Sequence, residues 1–387
     1  MGEHVNVLDI FMLPSFGRKT ARVRRTSRGI WAAALLILLL EPSLAGQDLE
    51  SVPPAPIGET DLDLTPPQSP FTITGYWEND VAILNPFDKS DRDYTNGVAV
   101  SFSHQPQWAK ALAEHMPFAG QFGPVETGAG YLLGHQMFTP ANISARILIP
   151  DDRPYAGYFF AGIFWQRADP EQTTLDHFQL DLGMIGPSVR AEDIQKWVHD
   201  LSNDPEPRGW SYQLGDELMV QFYLRKKWKM DLASIGSSES SRGIDVQLIP
   251  QLGGALGTVH RNLEATAVLW AGVNLPDDFG PGRLADMASA TGSHPTDSGL
   301  GGYGFVRLTG RAVEHNLFLE GSTFHDSHSV NAEPLVGELQ FGLALQYHWK
   351  KTSLEVSLSR TCLTDEFDDQ NDDHSYGALN LSLTCSF

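Results

Sequence analysis

Acids, amides and hydroxyls are concentrated between Gly75 and Gly97: Glu78-Asn79-Asp80 and then, after a short loop, Asp91-Arg92-Asp93-Tyr94-Thr95-Asn96-Gly97. Glu78, Asp80, Asp91 and Asp93 are hard oxygen donors of the kind calcium takes. The same side chains could instead cap a turn by bonding its backbone, and no EF-hand spacing is present, so both readings stand. On the amino-terminal side, Thr72, Thr74, Tyr76, Glu78 and Asp80 alternate with Phe71, Ile73 and Trp77; on the other, Val98, Val100 and Phe102 alternate with Ala99, Ser101 and Ser103. Period two on both sides makes a β-hairpin with its polar chemistry at one end. Neighbours on a regular strand point to opposite faces, so Asn79 and Asp80 can share one site only if the strand bulges or ends there.

A second group of chemically able residues falls on a helix. Residues 188–201 place Ser188 as a cap, Glu192 and Asp193 at the positive end, and Ile194, Trp197, Val198 and Leu201 as an apolar stripe. Glu192, Gln195 and His199 share the neighbouring polar face. Asn203, Pro205 and Pro207 stop the helix. His199 taken alone reads as an ordinary surface histidine.

The rest of the chain must position these groups, and it reads as strands. Leu339, Phe341, Leu343, Leu345, Tyr347 and Trp349 alternate with small and polar residues, as do Leu379, Leu381, Leu383, Cys385 and Phe387. A soluble sandwich would alternate too. Segments of about 10 residues, aromatics near strand ends and acidic or Gly-rich connections such as residues 276–298 and 365–375 favour an all-β, transmembrane antiparallel barrel of the outer-membrane type. Thirteen candidate strands can be counted, including 214–228, 300–311 and 313–322, whereas a barrel with both termini in the periplasm needs an even number. With short turns inside and long loops outside, the assignments from the two ends of the chain conflict between residues 186 and 242, so one candidate is false or split. Twelve strands with a short helix in one loop is the resulting expectation. If 365–375 is the last loop, Cys362 and Cys385 lie about 20 Å apart, beyond disulfide reach, and stay as free thiols.

Composition sets the compartment. Residues 1–45 combine six basic residues, the apolar run 31–40 and Ser43-Leu44-Ala45, the pattern of a secretory signal peptide. Residues 46–70, rich in proline, read as a linker, so the barrel domain spans 71–387. Of 27 Lys+Arg and 48 Asp+Glu, the leader holds six and three, which leaves 21 and 45, a net charge of −24. A nucleic-acid partner is excluded on that balance. No stretch after residue 45 is apolar for long enough to be a membrane helix.

These pieces, together with Asp152-Arg153-Pro154-Tyr155-Ala156-Gly157, Gly183-Met184-Ile185-Gly186-Pro187, Gln195 with His199, and Gly209-Trp210 with Gln213 and Glu217, occur in an order that resembles the lipid A 3-O-deacylase (LpxR) family. The resemblance implies a twelve-stranded outer-membrane barrel, monomeric, that uses Ca2+ to hydrolyse the 3′-O-linked acyloxyacyl group of lipid A in lipopolysaccharide. On that resemblance His199 is the catalytic histidine and Asn79-Asp80 the active-site pair. One of Ser101 or Ser103 is an active-site serine, and Asp80 and Glu206 are metal ligands. Tyr94, Thr95 and Arg153 would shape the site or bind the sugar phosphates. An outer-membrane phospholipase A-type esterase is the nearest alternative, although its His-Ser-Asn-Gly run is missing; a non-enzymatic porin is the other. There is no Gly-x-Ser-x-Gly elbow.

Overall fold

The computed structural model describes residues 70–80, 92–115, 125–236, 243–291, 299–370 and 374–386. The expected leader and nearly all of the linker lie outside these residues. So does Asp91.

Thirteen strand segments form one antiparallel sheet: β1 (Phe71–Asn79), β2 (Asp93–His104), β3 (Glu126–Thr139), β4 (Ala156–Ala168), β5 (Thr174–Ile185), β6 (Glu217–Trp228), β7 (Met230–Ile235), β8 (Ile244–Gly257), β9 (His260–Val273), β10 (Gly299–Asn316), β11 (Leu335–Trp349), β12 (Thr352–Leu363) and β13 (His374–Cys385). Sequential neighbours pair except β6 and β7, β1 pairs with β13, and β6 pairs with β8 from Gln221↔Gly257 to Lys227↔Gln251, which closes the wall. β7 continues β6 beyond Lys229 along the same partner, from Met230↔Leu248 onwards. Thirteen segments therefore make twelve staves. The parity conflict resolves elsewhere than expected. Candidates 300–311 and 313–322 are not two strands: β10 continues, with one register shift between Val313 and His315, to Asn316, and a one-turn helix, α3 (Leu317–Glu320), follows it, α1 (Gln107–His115) and α2 (Ala191–Ser202) lying earlier in the chain. Asn316 accepts from the Phe318 N–H and so caps α3, which is why the strand ends there.

The wall is inside out relative to a soluble protein. Val98, Val100, Phe102, Leu133, Phe159, Leu182, Val220, Phe222, Leu343, Leu345 and Leu358 point outward and are exposed, whereas Gln166, His177, Gln221, Arg225, Lys227, Arg307 and Gln340 point inward and are buried. Only a lipid surround makes the first set favourable, and closure leaves no unpaired edge in it. Cys362 and Cys385 are free: opposite Cys385 stands Thr352, ten residues along β12 from Cys362, or roughly 33 Å at ~3.3 Å per residue.

The lumen is filled by a connection that was expected outside. Residues 274–298 join β9 to β10 at the mouth that also holds Phe71 and Cys385, and their described part folds inward. There Arg283 and Asp286 exchange backbone hydrogen bonds in a tight turn. Asp286 pairs with Lys227 of β6 (2.9 Å) and Arg283 with Glu338 of β11. Arg225 donates to the Ala285 carbonyl (2.9 Å), Asn380 of β13 to that of Gly282 (2.9 Å), and the Leu284 N–H donates to Glu78 of β1 (3.2 Å). Arg307 of β10 donates to the Pro281 carbonyl. The segment is thus tied to several staves of the wall, with Asp286 and Arg283 each buried against an opposite charge. In planar bilayers the protein should carry no steady current, and replacing residues 276–291 by a short Gly-Ser linker should open a channel. Equal conductance from the two would mean that this segment does not close the lumen.

Candidate functional site

At the mouth away from the chain termini, the outward rows of three adjacent staves change character together. On β1 the row runs Ile73, Gly75, Trp77 and then Asn79; on β2 it runs Phe102, Val100, Val98 and then Asn96; on β3 it runs from Tyr131 and Leu133 to Met137 and Thr139. An otherwise apolar wall becomes polar over one patch. β1 ends at Asn79, as sharing of a site by Asn79 and Asp80 requires. The Asn79 amide and the Asp80 N–H both donate to the Thr95 carbonyl (3.0 and 3.3 Å), and the Asp80 carboxylate accepts from the Arg92 N–H (2.6 Å). β2 shifts register between Tyr94 and Asn96, so Thr95 is the extra residue of a bulge. Its hydroxyl meets that of Thr139 at 2.7 Å, and both are fully buried.

What buries the patch's far side is the expected helix, α2 (Ala191–Ser202), in the β5–β6 connection. Its start differs from expectation. A 3-10 turn, Pro187–Val189, precedes it, Arg190 in a left-handed conformation (φ 65°) occupies the cap position, and Ser188 bonds Asp216 instead. The helix docks on the outside of the barrel because both surfaces are small there: a Cβ on Gly157 of β4 would stand 2.5 Å from that of Ala191. Met137, Tyr155, Ala191 and Trp210 form the buried contact, and Trp210 donates to Gln195 (2.7 Å).

The face that docks is the polar one. Ala191, Gln195 and His199, spaced by four, are buried, while the apolar stripe Ile194, Trp197, Val198 and Leu201 is exposed. A helix on a soluble core does the reverse. His199 Nδ1 lies 2.6 Å from the Pro205 carbonyl, which can only accept; Nδ1 therefore carries the proton and Nε2 is the basic nitrogen. His199 sits in the last turn of α2, where an imidazolium formed by proton uptake faces the negative end of the helix. The staves under α2, β3 and β4, are two and three places from β1, about 10–14 Å around the wall.

The other expected site residues are elsewhere. Ser101 and Ser103 point into the lumen opposite Thr74 and Thr72, five and seven residues down β1 from Asn79, roughly 16 and 23 Å away along the strand. The hydroxyl beside Asn79-Asp80 is that of Thr95, one of the residues expected to shape the site, and the bulge is what turns it onto the patch. Tyr94 turns inward and donates to Glu78 (2.7 Å). Arg153 is buried, pairs with Asp93 (3.1 Å) and Glu366 (2.7 Å) and lies over the Phe138 and Phe367 rings, so here it clasps two loops and is closed to solvent. Glu206 is exposed on the loop after α2 and pairs with Arg208 (3.1 Å). Among the described residues no three His, Cys, Asp or Glu side chains converge as a metal site, so a closed calcium cage of Asp80, Glu206 and a further carboxylate is not present in them.

Two comparisons bear on the chain as a whole. The family model described as "Outer membrane protein LpxR" matches residues 31–385. LpxR from Salmonella typhimurium, 19% identical, superposes with a TM-score of 0.61 over 82% of this chain and all of that one. The β domain of the Bordetella autotransporter BrkA, 9% identical, covers 83% of this chain and all of its own at a TM-score of 0.37. No curated protein matches the sequence.

The Arg153 clasp has a definite pH response. Burial acts to raise the Glu366 carboxyl, but the Arg153 guanidinium, helped by His374, outweighs it and holds the group well below the usual carboxylate range. A depressed folded value means that the stabilisation is fully present above the unfolded value of about 4.3 and drains as pH falls below it. Half-buried Asp152, shifted upward chiefly by desolvation, offsets part of this. The hydrogen-exchange protection factors of residues 364–370, corrected for the pH dependence of intrinsic exchange, should therefore fall on acidification below about pH 4. Arg153→Met, which strands Asp93 and Glu366, should cost about 3–5 kcal/mol; an unchanged melting temperature would show the clasp to be idle.

Proposed function

Because the chain belongs to the family of the outer membrane protein LpxR and is an outer-membrane, lipid A-modifying barrel, we propose that it is a carboxylic ester hydrolase that removes the 3′-O-linked acyloxyacyl chain from lipid A. It would act on lipopolysaccharide in its own membrane as a monomer. One observation supports the reading above the rest: His199 is turned towards the barrel wall on the buried polar face of α2, with its proton fixed on Nδ1 by the Pro205 carbonyl. A pore has no use for that arrangement, and the filled lumen opposes the porin alternative.

In the proposed reaction, the 3′ ester enters from the bilayer between α2 and the polar patch. His199 Nε2 takes a proton from water, and the hydroxide so formed adds to the ester carbonyl carbon. The Asn79 amide, held by the Thr95 carbonyl, faces the developing oxyanion. Collapse of the tetrahedral intermediate breaks the bond to the sugar oxygen, which recovers the proton from His199, leaving a 3′-hydroxyl and a free acyloxyacyl acid. Thr95 and Thr139 line the floor of the site. The proposal includes a calcium requirement, in which Asp80 would contribute its carboxylate and Glu206 would have to leave Arg208 to take part. Bound there, the cation would supply hard-acid polarisation of an oxygen.

Mass spectrometry of lipid A incubated with the refolded protein tests this. Loss of one hydroxyacyl chain together with its secondary acyl group is expected, reduced roughly 10²–10⁴-fold in His199→Gln and about 10²–10³-fold in Asn79→Ala. Chelation should abolish the product if calcium takes part and leave it untouched if not. Release of phospholipid fatty acids with lipid A unchanged would point to the phospholipase instead.

A further inference from the structure

α2 presents three different surfaces to three directions. Ala191, Gln195 and His199 are buried against the barrel and its loops. Glu192, Asp193, Lys196 and Asp200 make a charged stripe, with Arg190 paired to Asp193 and Lys196 to Glu192 at the surface. Ile194, Trp197, Val198 and Leu201 make a separate apolar stripe, with Trp197 64% and Leu201 70% exposed. At 3.6 residues per turn, the apolar and charged stripes occupy adjoining sectors of the outward half of the helix. A helix with one wet side needs only two faces. Three imply a wall, an aqueous phase and an apolar phase meeting at one place.

The apolar phase is identified by continuity with the barrel's own lipid-facing belt. That belt reaches the α2 mouth on the neighbouring staves: Leu182 of β5 is outward and exposed, and Leu218, the second residue of β6, is 78% exposed. Tyr212 lies exposed between α2 and β6, and Ile147 and Leu148 are exposed on the β3–β4 connection, whose Ile143 carbonyl accepts from the Arg208 N–H (2.8 Å) and the Tyr155 hydroxyl (3.1 Å). Aliphatic side chains beside a tryptophan on one stripe, with charges on the next, are the marks of a helix lying in a membrane interface.

We propose that α2 lies in the plane of the outer leaflet, with Ile194, Trp197, Val198 and Leu201 among lipid acyl chains and the charged stripe in water. The lipid then holds the helix from outside while Gly157 and Met137 hold it from within, and the gap under its polar face opens sideways into the leaflet. This placement is independent of which ester the protein cleaves.

A thiol-reactive, polarity-sensitive fluorophore at residue 201 tests it. Leu201→Cys and, as the control on the charged stripe, Asp200→Cys are made in a Cys362→Ser, Cys385→Ser background and reconstituted into lipid vesicles, with β-sheet circular dichroism checked for each. The label at 201 should emit at shorter wavelength than that at 200 and be quenched by doxyl-labelled lipid; the label at 200 should be quenched by aqueous iodide. Iodide quenching at both positions would overturn the proposal. So would spontaneous disulfide-linked dimers of the unlabelled Leu201→Cys protein in vesicles, which would assign the stripe to a second copy.

Discussion

Every backbone N–H and C=O on a strand exposed to hydrocarbon must be paired within the protein, and the remaining features of this molecule are responses to that requirement. It forces closure, met by the β6–β8 and β1–β13 pairings. Closure sends alternate side chains into an interior too narrow to hold bulk water around each of them. Charges placed there need partners, and the pairs Lys227–Asp286, Arg283–Glu338 and Arg225–Glu264 supply them. Two of the three draw a partner from the β9–β10 connection, so the lumen's charge balance and its plug are one structure.

The same requirement explains why the candidate site is conspicuous. Outward positions on a barrel wall are expected to be apolar, so an asparagine on β1, another on β2 and a threonine on β3 at one level call for something to cover them. α2, docked beside them against Met137, turns glutamine and histidine towards the same stretch of wall. The energetic logic is that of a soluble interior moved to the outside: polar groups satisfied among themselves, with apolar groups around them.

Much of this was legible in the chain. Alternation located the staves, and the polar run at Asn79-Asp80 fell where β1 ends. The helix was recognisable from the spacing of its two stripes, though not which stripe would dock, because amphipathicity reports two faces without naming the medium beside each. Period-two counting divided β10 because Ala312-Val313 interrupts the alternation while the backbone pairing continues. The serines stand apart from the patch for a related reason: Ser101 and Ser103 share a hairpin with Asn79, but alternation sends them to the opposite face, and the Thr95 bulge that delivers a hydroxyl to the patch leaves no mark in the pattern. Arg153 was chemically suggestive and spatially unreadable, since its partners Asp93 and Glu366 are 60 and 213 residues distant in the chain.

A filled barrel with a polar patch on its outer surface also changes what concentration means for the molecule. On the proposed placement of α2, whatever meets that patch would arrive by sliding within the leaflet, so encounter would depend on molecules per unit area and on lateral diffusion. The barrel is then a fixed post in a two-dimensional fluid, and crowding of the lipid around it would govern traffic to the patch more directly than anything dissolved on either side of the membrane.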